Sequence, residues 1–114
     1  MNGKQRPQPL RGESLFVRQS GGMHRYGHVI LSIEPAATPG MSLAWEVTPA
    51  QIPDLFKAAV VQGVRRAALP LEQCLGGVLV RISGGSFHET DSNEQSFEMS
   101  AFQAMQDALK RGAF

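Results

Sequence analysis

Two stretches of this chain repeat apolar residues at the three- and four-residue spacing of an amphipathic helix. In the first stretch the apolar positions are Leu55, Phe56, Ala59, Val60, Gly63, Val64 and Ala67. In the second, which runs to about Arg111, they are Phe97, Ala101, Ala104 or Met105, Ala108 and Leu109. Each predicted helix therefore has one apolar face, and that face needs a partner layer to cover it.

Four shorter segments have the alternation typical of β-strands, and they supply that layer. Residues 14–19, 28–34 and 43–47 precede the first helix, and residues 75–82 lie between the two helices. Residues 83–86 contain two glycines and are predicted to form a turn. The order is β-β-β-α-β-α, which predicts an α+β two-layer sandwich with both helices on one face of a small sheet.

Proline and polar residues predict the ends of the first helix. Thr48, Pro49 and Gln51 have the pattern of a capping box with proline at the first helical position. Pro53 marks an alternative start one turn later. Pro70 is predicted to end the helix, because proline has no N–H to continue the hydrogen-bond ladder.

The second helix is predicted to begin just after Asp91 or Ser92, either of which has a suitable side-chain acceptor for a helix cap. Glu94 or Gln95 would then reach back to the capping residue.

The length of 114 residues fits one domain, which we expect over residues 13–114 after a flexible lead-in over residues 1–12. That lead-in is polar and has no apolar core like that of a signal peptide. No segment approaches the roughly 20 apolar residues that a membrane helix needs. The single cysteine, Cys74, is expected to be a small buried apolar residue. Together these features predict a cytoplasmic protein without a membrane segment.

Charge is distributed unevenly along the chain although the net charge is only +1. Residues 1–28 carry five basic residues and one acidic residue, whereas the remainder carries six basic and nine acidic residues. A basic end of this size favours contact with phosphates. A solvated tail is the alternative interpretation, and the composition does not decide between them.

Three motifs in a fixed order are a more specific indication of the protein's family than its composition. The first is QSGGMHRYGHVILSIEP, which begins at Gln19. In the second, Ile52-Pro53 precedes Ala59-Val60-Val61-Gln62-Gly63. The third is GGSFHETDSNE, which begins at Gly84 and is followed by Phe97. Over about residues 13–112 the sequence thereby resembles domain IV of translation elongation factor G. It departs from that family at His24, which replaces a glycine, and at residues 49–51, which replace Gly-Gly-Val.

The resemblance implies a fold with a left-handed βαβ crossover, as in one domain of a small-subunit ribosomal protein. It also implies that two loops, residues 20–27 and 84–92, meet at the tip of the domain and contact transfer RNA, messenger RNA and decoding-site RNA. The matching RNA- or ribosome-contact candidates are His24, Arg25, Tyr26, Ser86 and His88, and the loop-forming glycines are Gly21, Gly22, Gly27 and Gly85. The family's GTPase activity belongs to another domain, so the resemblance implies no nucleotide binding, no cofactor and no metal.

Each candidate also has a structural interpretation. Tyr26 either closes its loop against the sheet or stacks on a base, and His24 and Arg25 either contact RNA or are solvated. His28 is expected to be a hydrogen-bonded structural residue, and Trp45 to belong to the core.

Three functions are open to the whole chain. The resemblance favours a stand-alone, non-catalytic protein that binds the ribosome or a structured RNA. The altered first loop favours the alternative of a protein-interaction module, or of a homodimer formed through an open sheet edge. An enzyme is disfavoured. His88, Glu89 and Asp91 lie near Ser86 and Ser92 in sequence, but such closeness does not establish triad geometry. The three histidines also lack the spacing of a zinc site.

Overall fold

The computed structural model describes residues 8–20 and 23–111 and confirms the order β-β-β-α-β-α. The strands are β1 (Leu10–Ser20), β2 (Met23–Pro35), β3 (Gly40–Trp45) and β4 (Gly77–Ser86). The helices are α1 (Lys57–Leu75), which a short 3-10 helix at Asp54–Phe56 precedes, and α2 (Glu94–Lys110).

The four strands form one mixed sheet in the order β1-β2-β4-β3. β1 and β2 are antiparallel and paired from Leu10 with Ile33 to Ser20 with Met23. β2 and β4 are also antiparallel, with a bulge between Ile30 and Leu31. β3 and β4 are parallel, and α1 connects them, which gives the βαβ unit that the resemblance implies. The left-handed crossover of that unit stays a prediction.

Both helices lie on one face of the sheet, where they form the core. α2 packs on β1, β2 and α1, while α1 also contacts β3 and β4. The alternate residues of β2 and β4 that point toward the helices are fully buried, namely Val29, Leu31, Ile33, Val78, Val80 and Ile82. The predicted apolar stripe of α2 is confirmed, since Phe97, Ala101, Ala104, Met105 and Ala108 are buried and Leu109 packs against the core. Of the first predicted stripe, only Leu55 is exposed.

α1 begins later than the Thr48-Pro49 pattern predicts, and it continues beyond Pro70. Gln51 does accept a hydrogen bond from the Thr48 N–H at 2.9 Å, but the two residues close an isolated turn. Pro53, the alternative start, precedes the short 3-10 helix that leads into α1. Pro70 lies inside the helix, so the prediction that it ends α1 was wrong. Pro70 is exposed, and the following turn is retained because Leu71 packs against the core.

Two strand boundaries also differ from the predictions. β1 already begins at Leu10, so residues 10–12 belong to the sheet and not to a flexible lead-in. Pairing with Ile33, Ser32 and Leu31 of β2 supplies the hydrogen-bond partners that hold them there. Residues 83–86 continue β4, because β2 pairs with them as far as Ser86.

Two predictions concern parts of the chain that the structure does not describe. The lead-in over residues 1–7 lies outside the described residues, and so does the side chain of Cys74. Among the described residues, no helix is long and apolar enough to cross a membrane.

Candidate nucleic-acid interface

The loop between β4 and α2 docks on β2 where β4 ends. β4 stops at Ser86, whereas β2 extends beyond the pairing of His28 with Ser86. The Tyr26 N–H donates to the Asp91 carbonyl at 3.1 Å, and the Ser92 hydroxyl donates to the Tyr26 carbonyl at 2.8 Å. Residues 87–93 thus take the place of β4 beside β2. We call residues 23–27 of β2 together with residues 87–93 the tip surface.

Ser92 closes this loop and does not cap α2. Its hydroxyl also accepts from the His88 N–H at 2.8 Å, and its own N–H donates to the His88 carbonyl at 3.0 Å. The cap is Asn93, whose side-chain oxygen accepts from the Ser96 N–H at 2.8 Å. The predicted cap at Asp91 or Ser92 was therefore wrong, because the docking on Tyr26 already uses the Ser92 side chain and the Asp91 carbonyl.

Replacing Asn93 by alanine is expected to lower the free energy of unfolding by about 1 kcal/mol, the usual cost of losing a side-chain cap. Asp91→Ala is the matched control, since the Asp91 side chain does not bond the backbone of α2 in the structure. Urea unfolding followed by circular dichroism measures both. A larger loss in Asp91→Ala than in Asn93→Ala would contradict the observed cap.

The contacts of His88 fix the position of its proton. Its Nδ1 lies 3.3 Å from the N–H groups of Thr90 and Asp91 and 3.0 Å from the Thr90 hydroxyl. Two N–H donors require Nδ1 to be an acceptor, which assigns the proton of the neutral ring to Nε2. The Asp91 carboxylate is 3.7 Å from Nδ1, too far for a hydrogen bond. The side chain is 55% exposed, so His88 offers an N–H donor at the tip surface.

A row of hydrogen-bonded side chains begins at Tyr26 and crosses the sheet. The Tyr26 hydroxyl is 2.8 Å from the Ser86 hydroxyl, which is 2.8 Å from His28 Nδ1. His28 Nε2 is 2.6 Å from the Glu13 carboxylate. An ionised carboxylate has no proton to donate, so Glu13 is the acceptor of this hydrogen bond. With neutral His28, the protons then run in one direction: Tyr26 donates to Ser86, Ser86 to His28, and His28 to Glu13. We call these four residues the Tyr26–Glu13 network.

This network contains a serine, a histidine and a carboxylate in contact, the residue types of a hydrolase triad. They are not the grouping around His88 that the sequence suggests, since Glu13 and His28 come from β1 and β2. The Ser86 hydroxyl is shared between Tyr26 and His28, and the predicted structural role of His28 agrees with its two partners. Within residues 8–20 and 23–111, no cluster of three potential metal ligands is present.

The candidates of the first motif lie in strand β2. His24 is exposed, Arg25 is half-buried, and Arg25 is directly opposite Arg18 of β1. Like charges at such a position destabilise an antiparallel pair. Neither arginine forms an ion pair with any other described residue. Arg18 is not among the contact candidates predicted from the sequence, because only the strand register places it beside Arg25.

The predicted loop-forming glycines divide into two pairs. Gly21 and Gly22 lie outside the described residues. Gly27 and Gly85 are strand residues, paired with Phe16 and Val29, so their assignment to loops was wrong. Gly27 is required for close approach: a Cβ atom there would lie 2.6 Å from the Ser96 carbonyl oxygen of α2.

Farther from the tip, the cation of β4 is neutralised within the sheet. Arg81 donates to Glu34 at 3.0 Å and to Glu46 at 2.8 Å. The hydrogen bond to Glu34, followed by that to Glu46, raises the pKa of Arg81 above its usual value. Its charge is thus matched by two carboxylates, in contrast to Arg18 and Arg25.

Comparison with known proteins agrees with this architecture. The family model described as elongation factor G, domain IV, matches residues 4–113. Elongation factor G 2 of Syntrophomonas wolfei subsp. wolfei is 41% identical in an alignment 104 residues long that covers 86% of this chain and 15% of that protein. A crystal structure of a Thermus thermophilus protein superposes with a TM-score of 0.74 at 27% identity, covering 88% of this chain and 15% of the other.

The fold is that of a translation-factor domain. The chain belongs to the elongation factor G domain IV family, which its sequence matches over nearly its whole length. It spans about 15% of the length of the relatives named above.

Proposed function

We propose that this protein binds the ribosome, or a structured RNA, through the tip surface and without catalysis, as a cytoplasmic protein. The observation that supports this most directly is the docking of residues 87–93 on Tyr26. It brings Tyr26, Ser86 and His88 together at the end of the hairpin that carries Arg18 and Arg25.

The chemistry of the tip surface suits RNA. Two arginines without carboxylate partners among the described residues favour phosphate oxygens, for which the guanidinium fork is well shaped. The exposed Nε2–H of His88 supplies a donor for a phosphate or a base edge. Glu89 carries the opposite charge beside it, which favours contact at specific atoms over general attraction to a polyanion.

The double variant Arg25→Ala/His88→Ala is expected to lose binding to ribosomes and small subunits. Wild-type protein should sediment with them at about 50 mM salt and much less at about 200 mM, because phosphate contacts release counterions. Removing one phosphate contact should reduce the slope of log affinity against log salt by about 1. Arg65→Ala is the matched control, since Arg65 is an exposed cation on α1 and is not part of the tip surface. Equal sedimentation of the double variant and the wild type would refute this site.

A protein-interaction or self-association role is the second candidate, and the exposure of Leu15 and Val17 on β1 favours it. Pairing through the open edge of β1 is less favourable, because α2 occupies part of that edge. Asp107 accepts from the Glu13 N–H at 3.0 Å, and Ser100 donates to the Ser14 carbonyl at 2.8 Å. Under this role, the protein would elute as a dimer during size exclusion at both salt concentrations and would not sediment with ribosomes.

A further inference from the structure

No helix or strand of the described residues covers the face of the sheet opposite the helices, and near the tip this face carries an aromatic residue among exposed apolar ones. Tyr26 of β2 is paired with Val17 of β1, and the next pair on this face is His28 with Leu15. The side chains of Leu15 and Val17 are 57% and 43% exposed. RNA-binding domains built as four-stranded sheets with helices behind them commonly stack unpaired bases on aromatic residues of the open face.

Tyr26 is held by three hydrogen bonds. Its backbone bonds to Asp91 and Ser92, and its hydroxyl bonds to Ser86, whose own position is set by His28 and Glu13. A ring that is already fixed loses little conformational entropy when a ligand stacks on it. Ser86, His28 and Glu13 add to this preorganisation without touching the ligand themselves.

His88 does not stack in parallel on that ring. The Tyr26 and His88 ring centroids are 6.3 Å apart and the ring planes are inclined by 47°. A flat base lying on Tyr26 would have the apolar side chain of Val17 beside it. Arg18 and Arg25, the next ladder pair toward the tip, project from the opposite face of the sheet and therefore do not contact a base that lies on Tyr26.

We propose that an unpaired nucleobase of single-stranded RNA stacks on the ring of Tyr26 on the open face of the sheet. Ser86 and His28 are positioning residues that hold the ring in place. This site deepens the proposed function and rests on it, since it names the part of an RNA that the chain would recognise.

The test uses a short oligouridine that contains a single 2-aminopurine, whose fluorescence is quenched by stacking. Wild-type protein should quench it, and Tyr26→Leu should remove the quenching and weaken binding by about 5- to 100-fold, as expected for one base–aromatic stack. Tyr26→Phe keeps the ring and should keep the quenching. Phe102→Leu, an aromatic substitution on α2, is the matched control and should behave as wild type.

Ser86→Ala separates positioning from folding. It should reduce quenching at saturating protein while the midpoint of thermal unfolding changes little, and Ser86→Thr, which retains the hydroxyl, should restore the quenching. If binding weakens with salt but Tyr26→Leu quenches the 2-aminopurine fluorescence as well as wild type does, the stacking site is wrong. The proposed function would then still stand. If the wild type binds neither the oligouridine nor ribosomes, both the stacking site and the proposed function are wrong; if it binds ribosomes but not the oligouridine, only the stacking site is wrong. Absence of quenching together with a dimer that Leu15→Ser dissociates would assign the open face to a second copy of the chain.

Discussion

Replacing Phe97 by alanine is expected to lower the free energy of unfolding by about 3–5 kcal/mol. Phe97 is completely buried, and its ring stacks on Phe56 with centroids 4.8 Å apart and planes inclined by 22°. It joins the first turn of α2 to the short 3-10 helix that leads into α1. Because a domain of this size is stable by only about 5–15 kcal/mol, the variant should melt roughly 10–30 °C lower than wild type.

Phe102→Ala is the control for this prediction. Phe102 is half-buried on the same helix, with the Arg66 guanidinium 4.7 Å from the centre of its ring. Its truncation removes less buried surface and should cost about 1 kcal/mol. Calorimetry and urea unfolding give both values. Similar losses in the two variants would show that Phe97 is not the centre of the core.

Replacing Gly27 by alanine is expected to cost about 2–3 kcal/mol, because the new methyl group cannot fit between β2 and α2. It would lie 2.6 Å from the carbonyl oxygen and 2.9 Å from the carbonyl carbon of Ser96. These are backbone atoms in the first turn of α2, so relief requires the hairpin and the helix to separate. The loop of residues 87–93 leads directly into that turn, and we therefore expect RNA binding to weaken along with stability.

Gly84→Ala provides a matched comparison in the same sheet. Its added methyl group would meet the Cδ1 atom of Ile30 at 3.0 Å, the mobile end of a flexible side chain. Stability should therefore change by less than about 1 kcal/mol. Urea midpoints and ribosome sedimentation measured on both variants test the prediction. If Gly27→Ala and Gly84→Ala gave the same urea midpoint and the same ribosome sedimentation, the close approach of Gly27 to α2 would be unimportant.

Local patterns in the sequence predicted the elements of the fold well. A regular helix is enough to bring Phe97, Ala101 and Ala108 to one face. The buried face of α2 could therefore be predicted without tertiary information. The three motifs likewise identified the family, because their order and spacing survive as a linear pattern.

Element boundaries were less predictable, since distant residues decide them. Pro70 would end an isolated helix, but packing of Leu71 on the core continues α1. Gly84 and Gly85 resemble turn residues, yet the long partner strand β2 keeps them in the sheet. Ser92 was a plausible cap for α2 on sequence alone. In the structure its hydroxyl donates to the Tyr26 carbonyl instead.

Local patterns along the chain were enough to predict the order of strands and helices, the faces that form the core, and the resemblance to the elongation factor G domain IV family. Which polar residues meet depends on the tertiary structure. Glu13, His28, Ser86 and Tyr26 come from three strands, and their contacts depend on a register that burial of the opposite face imposes. A shift of one residue would turn the side chains of a strand to the other face, so the Tyr26–Glu13 network exists only because the core fixes the strands.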